Sequence, residues 1–146
     1  MLKEKLIELF KKNHGVVRCQ TLRKSNVIKF EVTEDGQGFI CDRGPAVFRF
    51  DTMDALEHEI KLVAKANNGK VYYGANTARN GVKLGEDFWF ENTLDGIMAR
   101  RCFNKQDGDS VYAASTFIAA LLQKVGFAFM NSADSIDAFI RLTGMF

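Results

Sequence analysis

Proline occurs once in this chain, at Pro45, and no uncharged apolar run reaches the roughly 18 residues that a membrane-spanning helix requires. A composition of 47% hydrophobic and 12% aromatic residues excludes the low-hydrophobicity signature of disorder. Histidine is scarce: His14 and His58 form no HxxxH pair and stand beside no pair of cysteines, so no zinc site is expected and no cofactor is predicted. Cys19, Cys41 and Cys102 lie far apart without a CxxC, which argues against a disulfide framework and for reduced, mostly buried thiols. The opening MLKEKLIELFKKNHG alternates charged with apolar residues and lacks the apolar run and small-residue cleavage site of a secretory signal. DGQG and NGVKLG fit neither the P-loop nor the dinucleotide-binding pattern. These absences predict a cytoplasmic protein with no membrane segment.

What is present is a substantial core. A chain of 146 residues suits one domain, 1–146, and a domain of that size buries about two thirds of its unfolded surface. Thirteen phenylalanines are its largest apolar contribution. Leu2, Leu6, Ile7, Leu9 and Phe10 predict an amphipathic helix over 2–13, stopped by Asn13, His14 and Gly15. VVRCQTL reads as a short strand, and VIKFEV, FICD and AVFRF as an antiparallel meander over 27–50 with an aromatic inner face. Met53, Leu56, Ile60 and Val63 step through a second helix ending at Asn67. KVYYG predicts a further strand, 75–87 a polar loop, and FWF at 88–90 a strand or an anchor beneath that loop. TLDGIMARRCF predicts a helix that Gly96 weakens, followed by a helix from Asp109 or Ser110 to about Val125. Phe127 to Met130 predicts a short strand. A last helix is expected from Ser132 or Asp134 through Ile136, Phe139, Ile140 and Leu142. The fold class expected is α+β: an antiparallel sheet of three to five strands packed against four helices. The composition allows a subdivision near 67–85, but each half would be small for its own core.

Charge is unevenly placed. Residues 1–29 hold eight Lys and Arg against two Glu, whereas 30–66 hold four against eight acids. Lys11, Lys12, Arg18, Arg23 and Lys24 cluster around a helix end and a turn, and Arg100 and Arg101 extend the patch if the 75–87 loop folds toward it. Such patches bind phosphates by neutralisation and counterion release, so nucleic acid or another polyanion is the expected partner. LIELFKKNHGVVRCQTLRKSNV also resembles the opening of winged helix-turn-helix regulators, which implies DNA binding. The resemblance ends at VIKFEV, which alternates as a strand where a recognition helix would stand.

GDSVYAASTFIAALLQKVGFAF, residues 108–129, is uncharged from Ser110 to Gln123 and apolar on nearly every side, as a helix in the middle of a domain is. Tyr112, Ser115, Phe117, Ile118, Leu121, Leu122 and Gly126 resemble the helix that carries the nucleophile in papain-like cysteine peptidases and amidases of the NlpC type. Alanine stands at the nucleophile position, Ala114, so the resemblance implies a buried helix without that activity. The Ser115 hydroxyl is expected to bond back to a helix carbonyl.

The reading is therefore a non-enzymatic binding or regulatory module that self-associates as a homodimer, since the uncharged helix and FWF offer more apolar surface than a small sheet hides. A second reading is a small hydrolase or transferase with a pocket under the 75–87 loop, using Tyr112, Ser115 or a Cys102 activated by Arg100 and Arg101. A third is a protein-interaction accessory protein of a phage or mobile element.

Overall fold

Leu2, Leu6 and Phe10 recur every fourth residue, so a helix aligns all three on one stripe, and that stripe is buried in α1 (Leu2–Lys12). The computed structural model describes residues 1–22, 26–131 and 138–144. Gly15, at φ 87°, ends α1 by donating its N–H to the Phe10 carbonyl at 2.7 Å and turns the chain into β1 (Val16–Gln20). The meander follows as β2 (Val27–Val32), β3 (Gly38–Cys41) and β4 (Gly44–Arg49), all antiparallel in the order β1-β2-β3-β4. Two-residue alternation puts Val17, Cys19, Ile28, Phe30, Phe39, Cys41 and Phe48 on one buried face.

Phe39 is the hub of that face. Its ring lies 5.2 Å from both Phe10 and Phe48, 5.6 Å from Phe50 and 5.8 Å from Phe30. Gly38 beside it has no room for a side chain, since a Cβ would sit 2.3 Å from the Phe48 carbonyl oxygen. After a single 3-10 turn at Phe50–Thr52, α2 (Met53–Ala66) lays Met53, Leu56 and Ile60 into the same core.

The fold class is α+β, as expected, but the strands divide between two sheets. β5 (Lys70–Tyr72), β6 (Ala128–Asn131) and β7 (Phe139–Leu142) form a second antiparallel sheet in the order β5-β7-β6. The last segment is thus a strand at Phe139, Ile140 and Leu142 and not the expected helix. As the central strand, β7 gains ladder bonds on both sides, and period two buries Ile140 and Leu142 together while Arg141 faces out. Ser132, Asp134 and Ile136 fall outside the described residues.

Four further helices occur among the described residues: α3 (Ala75–Arg79), α4 (Phe88–Glu91), α5 (Leu94–Arg101) and α6 (Ser115–Lys124). The 75–87 segment is therefore not all loop, and FWF is a short helix whose N-terminus Asp87 caps by accepting the Trp89 N–H at 2.9 Å. Leu84 and Phe90 join Ala78 and Ala99 in a small satellite cluster. One contiguous buried cluster otherwise draws on both sheets and on α1, α2, α5 and α6. The uncharged helix is hidden inside it, with Ile118, Ala119, Ala120, Leu121 and Leu122 all buried. The apolar surface of α6, expected from sequence to meet a second copy, is used within the chain. No helix among the described residues is long and apolar enough to cross a membrane.

Candidate nucleic-acid interface

The serine in the uncharged segment does meet a carboxylate, in a setting that explains where α6 begins. Tyr73 accepts the Asp95 N–H at 3.0 Å, and Gly74, at φ 77°, lets the backbone run against Thr93, where a Cβ would approach the Thr93 Oγ1 to 2.3 Å. Thr93 caps α5 by accepting the Gly96 N–H at 3.2 Å, which fixes Asp95 in the first turn. From there Asp95 Oδ1 accepts the N–H groups of Ala114 and Ser115 at 2.9 and 2.8 Å, and Oδ2 accepts the Ser115 hydroxyl at 2.8 Å. Asp95 is a tertiary cap: a carboxylate from one helix satisfies the N-terminal donors of another.

This overturns the start expected at Asp109 or Ser110. Asp109 is occupied in a turn, where its carboxylate accepts the Gln106 N–H at 2.7 Å. The Ser115 hydroxyl bonds to Asp95 and not back along its own helix. Asp95 and Ser115 are both fully buried. Burial pushes the Asp95 carboxyl up to about 7, against the pull of its bonds from the Ser115 hydroxyl, the Ser115 N–H and the Ala114 N–H. The Ser115 hydroxyl is bonded to the Asp95 carboxylate and to no imidazole, and its burial closes it to a substrate. His14 and His58 are both exposed.

Burial pushes the Cys102 and Cys19 thiols each up to about 11, and Cys41 also upward. Arg100 and Arg101 do not activate Cys102. Arg100 is held by Glu91 at 2.7 Å and by Asp107, and Arg101 by Glu59 at 2.7 Å. Arg100, Arg101, Glu59 and Glu91 line a cavity of about 440 Å³ with Asn92, Ile97 and Lys105. No group of potential metal ligands occurs among the described residues.

The remaining cations behave differently. Lys11 and Lys12 are exposed in the last turn of α1, where cations suit the helix dipole. The chain from Lys12 to Arg18 cannot span more than about 20 Å even fully extended. Arg18 points outward from β1 directly opposite Lys29 of β2. Hydrogen bonds from Val32 to Gly15 at 2.9 Å and from Thr21 to Asn26 at 3.2 Å set the phase of the ladder. Arg18 and Lys29 are therefore a non-hydrogen-bonded pair, the arrangement in which facing side chains come closest. Like charges so placed repel by up to about 1 kcal/mol. Among the described residues no carboxylate lies within ion-pair distance of either.

The same phase turns the backbone of Arg18 toward the free edge of the sheet, because β1 is an outer strand. Along that edge a groove of about 530 Å³ runs between β1 and α6, lined by Arg18, Gln20, Val27, Gln123 and Lys124. The site residues expected from sequence thus separate. Lys11 and Lys12 end α1 and Arg18 stands midway along β1, Arg100 and Arg101 line another cavity and are neutralised internally, and Arg23 and Lys24 lie outside the described residues.

Lys29 and Lys124 are the cations that sequence reasoning missed. The alternation of VIKFEV already turns Lys29 outward, but its placement against Arg18 depends on strand register. Nothing in the sequence brings Lys124, at the end of α6, to the edge of β1. No protein-family model, curated protein or solved structure matches this chain.

Proposed function

We propose that this protein is a non-catalytic nucleic-acid-binding module that holds the phosphate backbone with Lys11, Lys12, Arg18, Lys29 and Lys124. The observation that carries the reading is the Arg18–Lys29 pair. Two cations set face to face on neighbouring strands, neither of them in an ion pair among the described residues although the Asp42 carboxylate accepts the Lys29 backbone N–H, repel each other in the free protein, and a bound phosphate relieves that repulsion. Lys124 supplies a third charge across the groove. The burial of Ser115 and the raised thiol of half-buried Cys102 favour binding over catalysis. The reading places the protein in the cytoplasm, where free thiols and nucleic acid coexist.

The test is fluorescence anisotropy with labelled oligonucleotides over a salt series. Log affinity should fall linearly with log salt, by about 0.9 per phosphate contact on duplex and about 0.7 on single strands. Arg18→Glu with Lys29→Glu should weaken binding about ten-fold or more and flatten the slope by about 2. Arg100→Ala and Arg101→Ala should leave both unchanged. Absence of binding to any duplex or single strand at low salt refutes the proposal. Light scattering on the same samples tests the expected homodimer.

A further inference from the structure

The second sheet turns a different chemistry outward. Tyr72 on β5, Phe139 and Arg141 on β7 and Phe129 on β6 share its outer face with Lys70, as the registers Lys70↔Arg141, Tyr72↔Phe139 and Phe129↔Arg141 require. Phe139 is the buried floor, with the Lys70 ammonium 4.8 Å over its ring and the Tyr72 ring 5.7 Å away. Trp89 of α4 continues the surface, its ring 6.2 Å from that of Tyr72. Phe129 is 59% exposed, an unusual position for a phenylalanine on a sheet that has an apolar interior to bury it in. Lys70 and Arg141 are again directly opposed like charges, and among the described residues neither is in an ion pair.

We infer that this face is a stacking platform for the unpaired bases of a single-stranded nucleic acid. The inference rests on the nucleic-acid reading above and narrows it to single strands. Every nucleobase has a π-face that stacks on an aromatic ring, and cations set between the rings neutralise the phosphates that link successive bases. Neighbouring strands lie about 4.8 Å apart and Tyr72 is offset from Phe129 by two residues along the strands, so Phe129 on β6 and Tyr72 on β5 stand about 12 Å apart diagonally across β7. That span accommodates two or three unstacked bases, with Arg141 beside Phe129 and Lys70 beside Tyr72. A duplex keeps its bases paired and offers this face only phosphate. An acidic peptide would satisfy the cations and leave the rings without a partner.

Trp89 is the only tryptophan in the chain, so its fluorescence reports on this face alone. The probes are an oligothymidylate and an abasic strand of the same length and charge, each titrated into the full chain at low salt. The intact strand is expected to bind at least about five-fold more tightly than the abasic one and to quench Trp89. Phe129→Ala should remove about five-fold or more of the intact strand's affinity and none of the abasic strand's, whereas Phe129→Tyr, which keeps a ring, should retain it. Phe129 is exposed, so neither variant threatens the fold. Equal affinity for the two strands, or an unaffected Phe129→Ala, overturns the platform and leaves polyanion binding at the first sheet standing. Quenching by the intact strand that survives Arg18→Glu with Lys29→Glu, while the abasic strand fails to bind even the unmodified chain, supports the platform and refutes the first-sheet site. Binding of neither strand overturns both.

Discussion

Replacing Asp95 by alanine should be the most destabilising single change outside the phenylalanine cluster. The substitution leaves the N–H groups of Ala114 and Ser115 and the Ser115 hydroxyl without their acceptor in a place closed to water. Each orphaned buried group costs about 1–3 kcal/mol, and with partial relaxation the sum is about 3–5 kcal/mol. For a domain of this size each kcal/mol lowers Tm by about 2–4 °C, so Asp95→Ala should melt roughly 10–15 °C below the unmodified chain. Asp95→Asn keeps an oxygen for the two backbone donors and should cost only about 1 kcal/mol near pH 5.

The pH dependence separates the two variants further. In the folded state the Asp95 carboxyl titrates at about 7, and in the unfolded chain at its ordinary value of 3.8. The folded form therefore holds the proton more tightly, and Asp95 contributes most below pH 4 and progressively less as pH rises through 7. The full swing is about 4 kcal/mol, at about 1.4 kcal/mol for each pH unit of difference. Asparagine has no such titration, so Asp95→Asn should gain on the unmodified chain with rising pH and equal or exceed it at pH 8. Urea unfolding followed by far-UV circular dichroism at pH 5, 6.5 and 8 measures all three proteins. An Asp95→Ala protein melting within about 2 °C of the original, or one as stable as Asp95→Asn, would refute the tertiary-cap account.

Glu57→Ala should cost about 1–3 kcal/mol by urea unfolding, because the buried Glu57 carboxylate accepts the Leu2 N–H at 2.8 Å and pairs with Lys61 at 2.7 Å. Burial pushes that carboxyl up, but Lys61 and the Leu2 N–H outweigh it and hold it below the ordinary glutamate range, so its contribution is lost as pH falls below about 4. Gly96→Ala should destabilise by about 1–3 kcal/mol in spite of alanine's better helix propensity, since the new Cβ would lie 2.1 Å from the Phe90 carbonyl oxygen. A neutral or stabilised Gly96→Ala in thermal melts would show that α4 can yield. Cys19 and Cys102, both pushed up to about 11, should react with a thiol-specific chromogenic disulfide at pH 7.5 far more slowly in native protein than in urea. Rapid native labelling of either would contradict their burial.

Periodicity made the first half of the chain legible. The four-residue recurrence of Leu2, Leu6 and Phe10, the two-residue alternation of VIKFEV and the steps from Met53 to Ile60 are local patterns, and local patterns survive into the fold when one side of each element is buried. The later chain was harder to read because its controlling contacts are distant. Ser115 begins α6 because of a carboxylate in α5, and no spacing rule links the two. Gly96 looked like a weakness in a helix and proves to be the only residue small enough to pass the Phe90 carbonyl. The segment around Ile140 carried apolar residues that satisfy either period, and ladder bonds to β5 and β6 decided for the strand.

For the candidate site the division is similar. Charge counts alone marked the N-terminal region as basic, and alternation alone turned Arg18 and Lys29 away from the core, since solvation of a charge does not depend on which strand lies beside it. Which cations face one another was decided only by tertiary structure. Register set Arg18 against Lys29 and Lys70 against Arg141, and packing drew Arg100 and Arg101 to Glu91 and Glu59, because a Coulomb interaction depends on separation in space and not along the chain.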